Sequence, residues 1–255
     1  MSHHLVIADR LHFRYPDGTP ALTGASFRIA HGESVGIVGA NGAGKSTLLM
    51  HLNGTLLPDS GEVRIGEEPL TPDRIPDVRR RVGMIFQDPD DQLFMPTVRD
   101  DVAFGPLNMG LPPGEVEARV TAALRRTGIE ELAARPPHRL SGGEKRRAAI
   151  ASVLAMSPDV LVLDEPSAGL DPHGRRALIG LLREFTHTKI VATHDLDLVL
   201  DLCERTIVLD RGTVRADGKT REIFADEPLL ASCRLEKPLS MQGCPVCGRS
   251  SPGKG

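Results

Sequence analysis

Alternating apolar and polar residues predict two strands at the start of the chain, Leu5 to Tyr15 and Ala25 to Ile29, split by the turn-forming stretch Pro16-Asp-Gly-Thr-Pro20. Ser34-Val-Gly-Ile-Val38 has no polar face and predicts a short buried strand, and Leu48 to Leu52 reads as the first turns of a helix. Gly61-Glu-Val-Arg-Ile-Gly66 alternates again, and Val82-Gly-Met-Ile-Phe86 predicts a strand that ends at Gln87. The basic run Arg79 to Arg81 predicts a solvated face, and Asp88 to Phe94 is rich in turn formers and predicts a loop.

From residue 97 to about 157 the pattern becomes helical. Thr97, followed by Asp100 and Asp101, fits a cap with an acidic first turn. Val116, Val120, Ala123 and Leu124 share one helical face within Gly114 to Arg126. A third helix opens after Leu140-Ser-Gly-Gly-Glu144 and runs through Ile150. Helices following one another without a strand predict a separate helical lobe, ended by Pro158. Val160-Leu-Val-Leu163 is continuously apolar, as a central parallel strand is, and stops at Asp164-Glu165. A helix from about Pro172 to Phe185 follows, then a strand Lys189 to Thr193 ending at His194. Thr206 to Leu209 and Thr213 to Ala216 predict a hairpin around Asp210-Arg-Gly212. Composition becomes irregular from about Pro228, and residues 238 to 255 predict a loose tail. The fold expected is α/β, with a parallel-sheet core, an antiparallel β-subdomain and a helical subdomain.

The 255 residues suffice for one large α/β domain, and 40% hydrophobic residues supply its core. With 31 basic against 34 acidic residues the net charge is −3, which announces no nucleic-acid stripe. Aromatics at 3%, with no Trp, argue against base-stacking platforms, so no nucleic-acid partner is expected. No apolar run approaches a membrane span and the first residues lack a secretory pattern, so a cytosolic chain with at most a peripheral membrane role is expected. Cys203, Cys233, Cys244 and Cys247 are then expected to be reduced.

Chemistry concentrates in Gly39-Ala-Asn-Gly-Ala-Gly-Lys-Ser-Thr47, which fits the phosphate-loop pattern without a gap and stands between a strand and a helix. A triphosphate needs many donors at close range. Gly39, Gly42 and Gly44 let the backbone approach the oxygens, and the N–H groups form an anion nest at the positive end of the following helix. Lys45 adds a compact charge for the outer phosphates, and the Ser46 hydroxyl is a ligand for Mg²⁺. Asp164, at the end of an apolar strand where ligand crevices form, is the natural carboxylate partner of that ion. Glu165 beside it could polarise a water or accept its proton. Ser141, Gly142 and Gly143 open a helix and make a second anion nest. Tyr15, the single tyrosine, reads by position alone as a half-buried core ring, with stacking on a base as the alternative.

Together these motifs resemble the ATP-binding cassette (ABC) ATPases over roughly residues 3 to 227, leaving 228 to 255 as a C-terminal extension. The resemblance implies a phosphate-loop NTPase with a RecA-like core and assigns roles residue by residue. Tyr15 becomes the ring that stacks on adenine. Gly39, Ala40, Asn41, Gly42, Ala43, Gly44, Lys45, Ser46 and Thr47 are the Walker A loop. Gln87 touches Mg²⁺ and the attacking water. Ser141, Gly142, Gly143 and Glu144 are the signature that meets the partner subunit's ATP. Asp164 and Glu165 are the Walker B aspartate and catalytic glutamate. Ser167, Ala168, Gly169, Leu170 and Asp171 form a loop across the dimer interface, and His194 is the switch histidine at the γ-phosphate. One chain with one Walker A loop and one signature implies a head-to-tail homodimer with two ATP sites as the simplest arrangement, with a heterodimer with a related cassette as the alternative.

Within the family, Phe86-Gln-Asp-Pro-Asp-Asp-Gln-Leu-Phe94 and Val98 to Pro106 resemble the ATPase subunits of energy-coupling-factor importers, above all the cobalt and nickel group. That implies docking of membrane partners, a transmembrane coupling protein and a substrate-binding subunit, on Gln92, Leu93 and Phe94 at the cytoplasmic face of the membrane. The implied cargo is cobalt first, nickel second and a vitamin third. A soluble ABC protein acting on ribosomes or DNA is the alternative, but it would usually carry two cassettes, a coiled-coil insertion or basic patches. Cys244-Pro-Val-Cys247 is half of a metal site with no evident completing pair, and a metal-free tail is expected there.

Overall fold

The computed structural model describes residues 6 to 242. β1 (Val6–Arg14) and β2 (Pro20–Ile29) pair antiparallel, with Val6 opposite Ile29. β2 starts earlier than the alternation suggests. Gly24, at φ +102°, breaks the pattern beside a register shift, and Pro20 is tolerated because the first strand residue need not donate to the ladder. β3 (Ser34–Val38) runs into the phosphate loop and α1 (Lys45–Leu52). β4 (Ser60–Ile65) pairs with β1, and the two-residue β5 (Glu68–Pro69) closes a four-stranded sheet of order β2-β1-β4-β5. α2 (Ile75–Arg81) follows, in which only Val78 is buried, so no apolar stripe announced it. The basic run at its end is not wholly solvated: Arg81 Nε donates to Asp159 Oδ2 at 3.1 Å and is half-buried.

β6 (Val82–Ile85) leads to α3 (Val98–Asn108), α4 (Pro113–Thr127) and α5 (Gly142–Leu154). Thr97 caps α3 through its hydroxyl, and Ser141 with Glu144 forms a reciprocal capping box on α5. Then come β7 (Val160–Asp164), α6 (Pro172–Arg183), β8 (Thr188–Ala192), α7 (Leu196–Leu202), β9 (Arg205–Asp210) and β10 (Thr213–Lys219). The β9–β10 hairpin turns at Arg211 and Gly212, both at positive φ, as a tight two-residue turn requires. α8 (Thr220–Ala225) and α9 (Glu227–Ser232) are the last α-helices among the described residues.

The large sheet has order β10-β9-β3-β8-β7-β6, parallel throughout except for β10. Its parallel strands are buried on both faces because both faces are covered, whereas the edge strand β10 is exposed at alternate positions. Val38, Leu161, Leu163 and Val191 pack with the helices α3 to α9 on one side. Ile37, Val160, Val162 and Ile190 pack with α1 and the antiparallel sheet on the other. The loops leaving the carboxyl ends of β3, β7 and β8 therefore converge, which brings Lys45, Glu165 and His194 together. The expected loose tail does not begin at 238: the Leu239 and Ser240 amides donate to Asp197, each at 3.1 Å. Cys233 is buried, and Cys244 and Cys247 lie outside the described residues.

Candidate nucleotide site

The loop after β3 is held from both ends. Gly44 has φ +102°, and a Cβ there would sit 2.5 Å from the Ala21 carbonyl oxygen. Gly39 is required for space rather than for its dihedral, since a Cβ would lie 2.2 Å from the Leu209 oxygen. Lys45 is buried, its Nζ donating to the Gly39 carbonyl at 2.8 Å and the Ala40 carbonyl at 3.4 Å. Burial pulls the ammonium's pKa down, and the neighbouring Glu165 and Asp164 carboxylates hold it up. Tyr15, Asn41, Lys45, Thr47, Glu165 and His194 line one cavity of about 550 Å³. The Tyr15 hydroxyl lies 2.8 Å from Thr47 Oγ1, and its ring meets Phe13 edge-on at 5.2 Å, so the ring is fixed at the rim with one part exposed.

Ser46 and Gln87 also line an adjoining cavity of about 450 Å³ whose floor carries Asp164. Burial pushes the Asp164 carboxyl up, the Ser46 hydroxyl bond draws it back down, and the Glu165 charge pushes it up again. One of its oxygens, Oδ1, is buried without a partner. A hard cation needs oxygen donors of this kind, so Ser46, Asp164 and Gln87 fit Mg²⁺. An acid with a raised folded pKa binds its proton more tightly in the native state. Its ionisation therefore costs stability as pH rises through the unfolded and then the folded value. Asp164→Asn is expected to stabilise the ligand-free protein at neutral pH, with the gain vanishing in acid. The same variant should lose Mg²⁺-dependent stabilisation by ATP, and thermal unfolding with and without Mg²⁺ and ATP checks both.

Glu165 is buried at φ +44°, a left-handed conformation rare for a non-glycine residue, held by its amide bond to the Ala192 carbonyl at 2.8 Å. Its Oε2 accepts from Thr193 Oγ1 at 2.8 Å and lies 2.9 Å from His194 Nδ1. Its Oε1 accepts the His194 amide at 3.1 Å. Thr193 was missed in the sequence, although its place directly before His194 at a strand end was the available signal. Burial acts against the Asp195 carboxylate next in the chain, but the Arg175 guanidinium and the Leu198 amide outweigh it and keep the pKa low.

The second nest stands apart. Ser141, Gly143 and Glu144 face Gly169, Leu170 and Asp171 across a cavity of about 580 Å³ that shares no lining residue with the Tyr15 cavity. Glu144 Oε2 accepts the Ser141 amide at 2.7 Å, and this bond lowers its pKa. In the expected interface loop, Ser167 Oγ donates to Asp195, and Asp171 caps α6 by accepting the Gly174 amide at 2.6 Å. Ala168, Gly169 and Leu170 remain on or near the surface.

The expected docking triple needs correcting. Gln92 turns inward: its Nε2 donates to the Ala149 carbonyl at 2.8 Å and to Ser152 Oγ at 3.0 Å, and its Oε1 accepts the Phe86 amide at 3.3 Å. Leu93 is buried in the helical core. Only Phe94 of the three is outside, 63% exposed, with its ring edge-on to Phe104 at 4.9 Å and the exposed Leu107 on the same helix. Asp101 sets this conformation by accepting both the Phe94 and Met95 amides at 3.0 Å.

A phosphate-loop strand-turn-helix, a carboxylate pair at the end of the central strand and a separate Ser-Gly-Gly helix start define a nucleotide-hydrolysing cassette. Residues 22–168 match the ABC transporter family, and the chain belongs to it. A Geobacter sulfurreducens protein named as an ABC transporter ATP-binding protein is 68% identical over 98% of this chain and all of its own length. An energy-coupling factor transporter ATP-binding protein of Methanocaldococcus jannaschii is 48% identical over 92% of this chain and 86% of its own. The structure of cbiO1 from Clostridium perfringens, described as part of the ABC transporter complex cbiONQ, superposes with a TM-score of 0.78 at 44% identity, covering 90% of this chain and 94% of that one. The chain is thus an ATP-binding, ATP-hydrolysing ABC transporter subunit. No helix among the described residues is long and apolar enough to cross a membrane.

Proposed function

We propose that this chain is the ATPase of an energy-coupling-factor importer, working as a homodimer at the cytoplasmic face of the membrane with a transmembrane coupling protein and a substrate-binding membrane subunit. The cargo proposed is a transition-metal ion, cobalt before nickel or a vitamin. One observation carries the reading: a single segment begins at Gln87 in the nucleotide cavity and ends at the exposed Phe94–Phe104 pair. Change at the phosphates thereby reaches an apolar surface suited to a membrane partner's helix. The named relatives above support the importer type.

Within the site the labour divides as follows. Tyr15 offers a ring to adenine, and the Gly39–Thr47 amides with Lys45 hold the phosphates. Ser46, Asp164 and Gln87 would hold Mg²⁺, which when bound neutralises charge on the phosphates. Glu165, kept in place by Thr193 and His194, takes the proton of the attacking water. His194 contacts Glu165 through Nδ1, and its ring is exposed at the cavity edge, where it would meet the γ-phosphate. Because Ser141 opens a different cavity, the second copy's signature would close each ATP.

Purification with the native membrane partners, followed by ATP-dependent uptake of Co²⁺ against Ni²⁺, tests the whole reading; absence of uptake for both ions would reject a metal cargo. Phe94→Ser should reduce uptake at least tenfold while basal ATPase activity stays within about twofold, because Phe94 lines neither of the two nucleotide-site cavities. Normal coupled uptake in that variant would move the docking surface elsewhere.

A further inference from the structure

Arg146 lies one helical turn or so beyond Ser141, roughly 7 Å along α5, and is 3% exposed. Its guanidinium reaches across to the segment after β6: Nη1 donates to the Phe86 carbonyl at 2.8 Å and Nη2 to the Gln87 carbonyl at 2.6 Å. Two parallel donors on consecutive carbonyls fix the peptide between them, which a single ammonium could not do. Burial disfavours the cation, while Asp88 and Asp164 nearby favour it, so a charge is kept in the interior by carboxylates of the nucleotide site. Two further ties run the same way. Lys145 Nζ meets both oxygens of Asp90, at 2.6 and 2.8 Å. Gln92 returns to α5 at Ala149 and Ser152. Among the described residues, Arg146 alone lines both the cavity at Ser141 and the cavity holding Ser46, Gln87 and Asp164.

We infer that Arg146 is a positioning residue: carried on the helix that starts at the signature, its guanidinium fork fixes the Phe86–Gln87 backbone and so aims the Gln87 side chain at the magnesium and water of the chain's own ATP. Each chain thereby links the segment facing its partner's nucleotide to a group acting on its own. The inference rests on the Mg²⁺–ATP reading of the site.

The test is a double-mutant cycle in the full-length protein, Arg146→Met against Gln87→Ala, with Mg²⁺–ATP hydrolysis and ATP binding as readouts. Arg146→Met should lower kcat at least tenfold, raise the Mg²⁺ concentration for half-maximal activity severalfold and change the ATP Kd by less than about threefold. In the Gln87→Ala background the same change should lower kcat by less than about twofold, because the group being aimed is already gone. Full additivity of the two effects, or an unaltered Mg²⁺ requirement in Arg146→Met, would overturn the inference. Should Arg146→Met compromise folding, Arg146→Lys keeps the buried charge, removes the fork and is read in the same cycle. If wild-type protein itself hydrolyses ATP without need of Mg²⁺, the underlying reading of the site fails, and that outcome is separate from the cycle.

Discussion

Glu165→Gln should lower ATP turnover by roughly a hundredfold to ten-thousandfold while ATP still binds. The glutamine has the same size, and its one carbonyl oxygen can still accept the Thr193 hydroxyl, while its amide nitrogen takes the position that accepted the His194 amide and can only donate. It lacks a carboxylate to receive the proton that the attacking water must lose. The strained backbone at this position, φ +44°, is anchored by the Ala192 carbonyl and survives the exchange. Single-turnover hydrolysis with parallel binding of labelled ATP separates the two effects. Brisk turnover in the variant would remove Glu165 from its role and pass the proton to another group.

Lys45→Ala should weaken ATP binding by about a hundredfold or more, since one charge-assisted contact to the outer phosphates is worth about 1.5–3 kcal/mol and the lysine also braces the loop. In the free chain Nζ already bridges the Gly39 and Ala40 carbonyls. Its loss therefore removes both the charge and a prop that keeps the loop curved. Calorimetric titration with Mg²⁺–ATP measures the change, and unaltered affinity would mean that the phosphates sit elsewhere.

The site was legible wherever chemistry is local in the chain. The phosphate loop needs a strand, glycines, a lysine and a hydroxyl in one register, and all of them are neighbours in sequence. The apolar strand ending at Asp164-Glu165 is legible for the same reason, because burial on both faces writes itself as an unbroken run. Short helices were not: α7, α8 and α9 span 6 or 7 residues each, too few turns for a helical period to show. Contacts between distant segments were invisible as well. Gln92 looked like a surface residue because it lies in a turn-rich loop, yet it is a strut to a helix that starts some fifty positions later. The conspicuous Lys145-Arg-Arg run gave no hint that its middle residue is the buried one. Tyr15 sits between its two readings, held from behind like a core ring and open at the rim like a base platform.

The account turns on the separation of the two nests, the phosphate loop in one cavity and the Ser141 helix start in another, which supports the proposed closure by a second copy of the chain. The direct measurement is the solution mass and nucleotide content of Glu165→Gln at saturating Mg²⁺ and ATP, by light scattering on a sizing column. A dimer retaining one ATP per subunit, dispersed by Ser141→Arg, is the predicted result. A species that remains monomeric with its ATP bound, in the presence of the membrane partners as well as alone, would contradict it.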